Sequence, residues 1–146
     1  RSNGLINNLN VLNSMSDAVD FDFSKININN LNINNSKNDC IDFSYGSYKV
    51  KVANLSICND KALSIGETST FFAENLNIDN VNIALAVKDN SNAKVLNLKV
   101  QDSNYCSVLY RKKTEFKGAK LKISKQNCGS AINFIDKGNI FIVNEF

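Results

Sequence analysis

Two cations and three carboxylates stand out by type and spacing. Lys88 and Arg111 lie 23 residues apart; Asp20 and Asp42 lie 22 apart, with Asp22 next to the first of them. Paired cations suit elimination on a polyuronate: one, desolvated, takes the proton α to a carboxylate while the other neutralises that carboxylate. Stacked carboxylates suit glycoside hydrolysis, which needs two carboxyl groups flanking one bond. Like charges that close also raise one pKa. Around these four candidate catalytic residues, Asp22, Tyr45, Glu67, Asp89 and Lys112 are candidate substrate contacts, Tyr45 by stacking on a sugar ring. The same charges also read as solvated ladders on a surface, where each exposed pair contributes about 0–1 kcal/mol. Other chemistries are excluded. The chain has no His, hence no Ser-His-Asp set, no CxxC pair and no Gly-rich phosphate loop, so neither metal nor cofactor is expected.

Residues 22 apart become neighbours only if the chain coils with that period. Six triplets of the form Leu-x-Ile/Val mark one: Leu9-Asn10-Val11, Leu31-Asn32-Ile33, Leu55-Ser56-Ile57, Leu76-Asn77-Ile78, Leu98-Lys99-Val100 and Leu121-Lys122-Ile123, at steps of 22, 24, 21, 22 and 23. Asn8, Asn30, Asn54, Asn75 and Asn97 precede the first five and Lys120 the sixth. After each triplet comes an alternating run, such as "DAVDFDFS" and "DCIDFSYG". Three short period-2 strands per repeat, with no 3.6-residue pattern, predict an all-β solenoid, a parallel β-helix of six to seven coils of about 22 residues. The Asn before each triplet is expected to turn a corner in the left-handed conformation and to stack on its neighbours. Val19 and Phe21, Ile41 and Phe43, Val108 and Tyr110, Ile132 and Phe134 are expected to point inward. Outward columns would run Asp20–Asp42–Ser64–Ala86–Leu109 and Asp22–Ser44–Gly66–Lys88–Arg111. The next would run Phe23–Tyr45–Glu67–Asp89–Lys112–Asp136. Small residues (Ala18, Cys40, Ala62, Ala84, Ser107, Ala131) would leave a shallow trough beside them.

With its Asn ladder, the chain resembles the right-handed parallel β-helix proteins of the pectate-lyase-like superfamily from about Gly4 to Phe146. "DKALSIGETS" and "ALAVKDNS" are similar to phrases in bacterial surface or polysaccharide-associated β-helix repeats. The resemblance implies a right-handed coil of three sheets and an extracellular or cell-surface setting. It brings no catalytic set with it: the paired calcium-binding carboxylates of pectate lyases and the full Asp clusters of polygalacturonases are missing from the pattern. The function expected is therefore a carbohydrate-interacting module of a polysaccharide-active or cell-surface protein, with a polysaccharide or oligosaccharide as partner. If it is an enzyme, it is a polysaccharide lyase or glycoside hydrolase. The other class is a non-catalytic scaffold.

Composition agrees with one domain over residues 1–146, read as part of a longer protein: 43% of residues are apolar and 26 are Asn. The net charge of +3 includes a late basic skew in "YRKKTEFKGAKLKISK". It carries no nucleic-acid recognition motif, so no nucleic-acid partner is expected. No run of 18 apolar residues predicts a membrane span. Cys40, Cys58, Cys106 and Cys128 read as buried or half-buried free thiols, with Cys106 and Cys128 expected near one another on neighbouring coils. Neither terminal stretch, "RSNGLINNLNVLN" or "NIFIVNEF", contains a cap, so self-association through an open coil end is expected.

Overall fold

The structure, a computed structural model, describes residues 2–144; Arg1 and the last two residues of the terminal "NIFIVNEF" lie outside the described residues. Eleven strands form: β1 (Asn3–Ser14), β2 (Val19–Asp22), β3 (Lys25–Ser36), β4 (Ile41–Ser44), β5 (Ser47–Gly66), β6 (Thr70–Lys88), β7 (Asn92–Gln101), β8 (Tyr105–Tyr110), β9 (Lys120–Asn127), β10 (Ile132–Ile135) and β11 (Ile140–Val143). All pair in parallel. The long ladder runs β1-β3-β5-β6-β7-β9-β11, and the short one joins β2, β4, the ends of β5 and β6, β8 and β10. The chain is a β-solenoid of about six turns, and among the described residues no helix is long and apolar enough to cross a membrane.

Alternation along each strand sends one set of side chains inward. Ile28, Leu31, Ile33, Ile41, Phe43, Leu63, Ile65, Leu85 and Val87 are all 0–2% exposed. Phe43 forms the centre of an aromatic cluster with Phe21, Tyr48 and Phe71, at ring separations of 4.5–6.0 Å. Tyr48 can sit there because its hydroxyl donates to the Phe21 and Ser44 carbonyls.

The period holds, but the register differs from the triplet alignment. Equivalent residues are Asn3, Lys25, Ser47, Thr70, Asn92, Lys120 and Ile140, at steps of 22, 22, 23, 22, 28 and 20. Leu55 pairs with Ile33 and Ile78, not with the first residue of their triplets. A two-residue slip preserves which side chains point inward, so the pattern alone could not see it. Leu121-Lys122-Ile123 pairs with Ala93-Lys94-Val95, a different strand segment, because the loop 111–119 lengthens that coil.

The Asn ladder is real but stands elsewhere. Its longest run is Asn10–Asn32–Asn54–Asn77, on the exposed middle of the strand, with amides 2.9, 2.9 and 3.1 Å apart. The expected column instead reads Asn8–Asn30–Val52–Asn75–Asn97–Lys125. The left-handed corner falls after the apolar pair, at Asn13, Asn35, Ile57, Asn80 and Asp102, with φ of 47–66°. Asn suits that corner because its side chain tolerates αL and bonds upward, as Asn35 does to Asn13 at 2.8 Å. Phe23, Tyr45, Glu67 and Asp89 form a second left-handed column, with φ of 46–52°.

Four further expectations are corrected. Val87 pairs with Leu109, so Leu109 points inward and Tyr110 stands beside Lys88; Val108, not Leu109, follows Ala86 in the outward column. Phe134 pairs with Val108 and is 53% exposed, and Ile132 is 60% exposed, so neither belongs to the core. The small-residue trough does not exist: Cys40, Ala62, Ala84 and Cys106 are 0% exposed, and Cys106, not Ser107, holds the position next to Ala84. The cysteines are not free. Cys40 bonds Cys58 and Cys106 bonds Cys128, the second pair as neighbours on adjacent coils.

Candidate functional site

The outward face of the short ladder gathers most of the residues singled out by spacing. Asp20 and Asp42 are register partners on β2 and β4, and Asp42 pairs in turn with Ser64 of β5. Lys88 closes the group from β6. Only 5% of it is exposed, and its stem lies across Gly66, where an added Cβ would stand 2.7 Å from Lys88 Cε. Glycine leaves the room in which the lysine stem lies flat on the sheet.

What makes this face unusual is a loop folded back over it. Residues 111–119 leave β8 and return across the preceding coils. Asp89, 0% exposed, anchors them: its Oδ1 accepts the Lys112 and Lys113 backbone N–H groups at 2.7 and 2.9 Å. Lys113 then reaches Glu67 at 3.0 Å and stands 5.9 Å from the centre of the Tyr45 ring. Glu67 also accepts the Ser44 hydroxyl at 2.7 Å. Burial by itself would raise the Glu67 carboxyl, but the Ser44 and Lys113 hydrogen bonds and the charges of Lys113 and Lys88 hold it below its ordinary value.

Asp42 behaves in the opposite way. Burial lifts its carboxyl above the ordinary range, and the Lys88 charge and the hydrogen bond of the adjacent Ser64 hydroxyl only partly offset this. Its Oδ1 and the Ser64 hydroxyl are both buried side by side, and neither has a partner outside this pair. Asp20 is exposed, and burial followed by the charges of Asp22 and Asp42 raises it too. The Lys88 ammonium makes no ion pair among the described residues.

At the N-terminal rim, Phe23 and Tyr45 stack with centroids 4.6 Å apart and planes within 4°. They remain 53% and 37% exposed, on adjacent coils and both in the left-handed conformation. They line a trough of about 540 Å³ together with Lys25, Ser47 and Thr68. An apolar ring held exposed at a strained backbone position presents a ready stacking surface.

Spacing thus brought Asp20, Asp22, Asp42, Tyr45, Glu67, Lys88 and Asp89 to one face, with Asp89 as the anchor of the loop. It did not bring Arg111. Tyr110 stands beside Lys88, and Arg111 begins the loop as an exposed residue, as does Lys112. The two-cation arrangement for elimination is therefore not formed. Lys113, Ser44, Ser64 and Phe23 were missed as site residues; Lys113 acts through a loop that no repeat pattern describes. Below the face, oxygens of Asp17, Asp39 and Asp42 lie within 4.8 Å of one another. Asp17 and Asp39 already accept backbone N–H groups of Asp39 and Lys61, and the Lys61 ammonium is 3.3 Å from Asp39 and 2.6 Å from Asp60. The positive charge in that cluster is a lysine. No protein-family model, curated protein or solved structure matches the chain.

Proposed function

We propose that the protein is a carbohydrate-binding β-helix module, and that its binding surface is the trough lined by Phe23 and Tyr45, with Lys88 farther along the same ladder. The observation that carries this is the stacked and exposed Phe23–Tyr45 pair that lines the trough, with the exposed Asp20 and the unpaired Lys88 amine on the same ladder. Sugars suit such a set: an apolar ring face for the aromatics, hydroxyl donors for Asp20 and oxygen acceptors for Lys88. Two disulfides favour a secreted or surface setting, where thiols oxidise. A polysaccharide-active or cell-surface parent protein of the pectate-lyase-like kind fits the same reading.

Binding is preferred over bond cleavage because elimination lacks its second cation. The Asp20–Asp42 pair keeps acid–base capacity, so product formation belongs in the same experiment. A glycan array probed with the wild type, Lys88→Ala and Tyr45→Ala tests the proposal. Binding to one glycan group that both variants weaken by about tenfold or more is expected from the loss of one charge-assisted bond or one stacked ring. A wild type that binds no glycan makes the protein a scaffold.

A further inference from the structure

The basic stretch "YRKKTEFKGAKLKISK" has no part in the trough, and it contains the loop that lengthens one coil to a step of 28 residues. Arg111, Lys112 and Lys113 follow one another at the start of that loop. The first two are exposed, and residues 111–119 belong to no strand. Asp89 lies beneath them, 0% exposed. Its Oδ1 accepts the Lys112 and Lys113 N–H groups at 2.7 and 2.9 Å. Its Oδ2 is buried with no hydrogen-bond partner, and no lysine or arginine pairs with the carboxylate among the described residues. A buried carboxylate held only by neutral N–H groups can still take a cation. The two nitrogens at Asp89 are those of the Arg111–Lys112 and Lys112–Lys113 peptide bonds. A second observation is independent of the first: the Cys106–Cys128 disulfide joins the chain before the loop to the chain after it.

We propose that this loop is a processing site: a protease specific for lysine or arginine cuts it after Arg111 or Lys112, and the new N-terminus pairs with Asp89 in a two-chain molecule. The step is hydrolysis of one peptide bond. The carbonyl carbon takes the hydroxyl of water, the nitrogen takes its hydrogen, and the proton of the new acid passes to the new amine. An α-amino group titrates at about 7.7–8.0, so the ammonium form persists at neutral pH. Its nitrogen already stands at Asp89, and as an ammonium it brings two N–H groups that the amide lacked to a carboxylate with an unused oxygen. Exposed loops are where proteases nick, because a ladder strand has its main chain already paired. Within the loop, the Lys113 carbonyl accepts the Phe116 N–H at 3.2 Å and the Lys117 carbonyl accepts the Asn90 N–H at 2.8 Å. The Arg111 and Lys112 carbonyls carry no such bond among the described residues. The cut needs only a local opening that lifts two N–H groups off Asp89. Afterwards the disulfide keeps residues 1–112 and 113–146 together. The inference is independent of carbohydrate binding and stands without it.

Brief trypsin treatment of the oxidised protein, with products read by mass, is the test. The first cut is expected at Arg111–Lys112 or Lys112–Lys113, leaving one species without reductant and two pieces with it. A first cut after Lys113 or Lys117, or after Lys37 or Lys137, which are exposed outside the strands, overturns the proposal. So does resistance to trypsin, or separation of the pieces without reductant. The pairing has its own readout. The nicked wild type should melt no lower than the intact protein. Nicked Asp89→Asn should melt about 2–4 °C below its own intact form, because asparagine still accepts an N–H but offers no charge to the ammonium. An equal fall in both refutes the pair. A further measurement needs no variant: acetylation of the new α-amino group in nicked wild type should run slower than that of the exposed Lys94, although a free α-amine, titrating lower than lysine, reacts faster near neutral pH. Acetylation as fast as at Lys94 or faster overturns the proposal.

Discussion

Lys88 and Lys94 are six residues apart and project from consecutive coils, yet they lead different lives. Lys88 is 5% exposed, lies against Gly66, and exerts its charge on Asp42 and Glu67. Lys94 is exposed on a plain strand with no acid in its column. The backbone spacing is the same in both places. The difference is cover: on the short ladder the loop 111–119 folds back, held by Asp89 and by Lys113 on Glu67, and Lys88 is 5% exposed where Lys94 is open. Charges on the covered face interact strongly and specifically; those on the open face act as a screened field. A solenoid can therefore carry a selective groove and an electrostatic surface on one scaffold.

The largest expected effect on this contrast is reduction of the disulfides. Both tie the short ladder: Cys40 and Cys106 sit at its strand ends, joined to Cys58 and Cys128 around the corner. Each closes a loop of about 20 residues, worth about 3 kcal/mol by the chain-entropy account. Hydrogen exchange after reduction should speed up first in β4 and β8 and last in β3 and the early part of β5. Uniform acceleration would show that the two faces are not separable in stability.

Next is Asp89→Ala. It removes a buried carboxylate that holds two loop N–H groups and should cost about 2 kcal/mol, measured by urea unfolding. Lys94→Ala should stay within about 0.5 kcal/mol. Equal costs would deny that cover is what separates the faces. Smaller again is Gly66→Ala, whose Cβ would meet the Lys88 stem. The flexible stem can give way, so destabilisation should be about 1 kcal/mol. Glycan binding should nonetheless fall as in Lys88→Ala, because the amine is displaced; retained affinity would free Lys88 of any role.

The smallest effect is a pH dependence. Burial would lower the Lys61 ammonium, but the Asp60 hydrogen bond and the Asp39 charge outweigh it and push it from 10.5 up to about 12. A folded value above the unfolded one stabilises fully below the unfolded value, and that contribution is lost as pH rises through about 12. Glu67, held low, has the opposite sign: its contribution is present at neutral pH and is lost as pH falls through its depressed value. Unfolding midpoints of Lys61→Met and Glu67→Gln against wild type should therefore converge at the alkaline and acid ends respectively.

Much of the fold was legible because a solenoid writes itself into sequence at short range. The 22-residue step, the inward Ile41, Phe43, Leu63 and Ile65, and the neighbouring acids Asp20 and Asp42 follow from repetition and from strand period alone. The site was legible in so far as it stands on regular rungs. Arg111 was misplaced because one apolar run, "YCSVLY", supports two alternating readings, and pairing chose the one with Leu109 inside.

What the sequence by itself determined is the architecture: the period, the all-β class, the face on which each regular side chain lies. What only the tertiary structure decided is register and cover. Register escaped because a slip of two residues leaves inside and outside unchanged, so Leu55 could be aligned with Leu31 until hydrogen bonds matched it to Ile33. Cover escaped because the loop 111–119 obeys no repeat, and its contacts join residues as distant as Lys113 and Tyr45. The disulfides escaped in part for the same reason: Cys40 and Cys58 are 18 residues apart, short of a coil, and meet only because the corner brings them within 5.5 Å between Cα atoms.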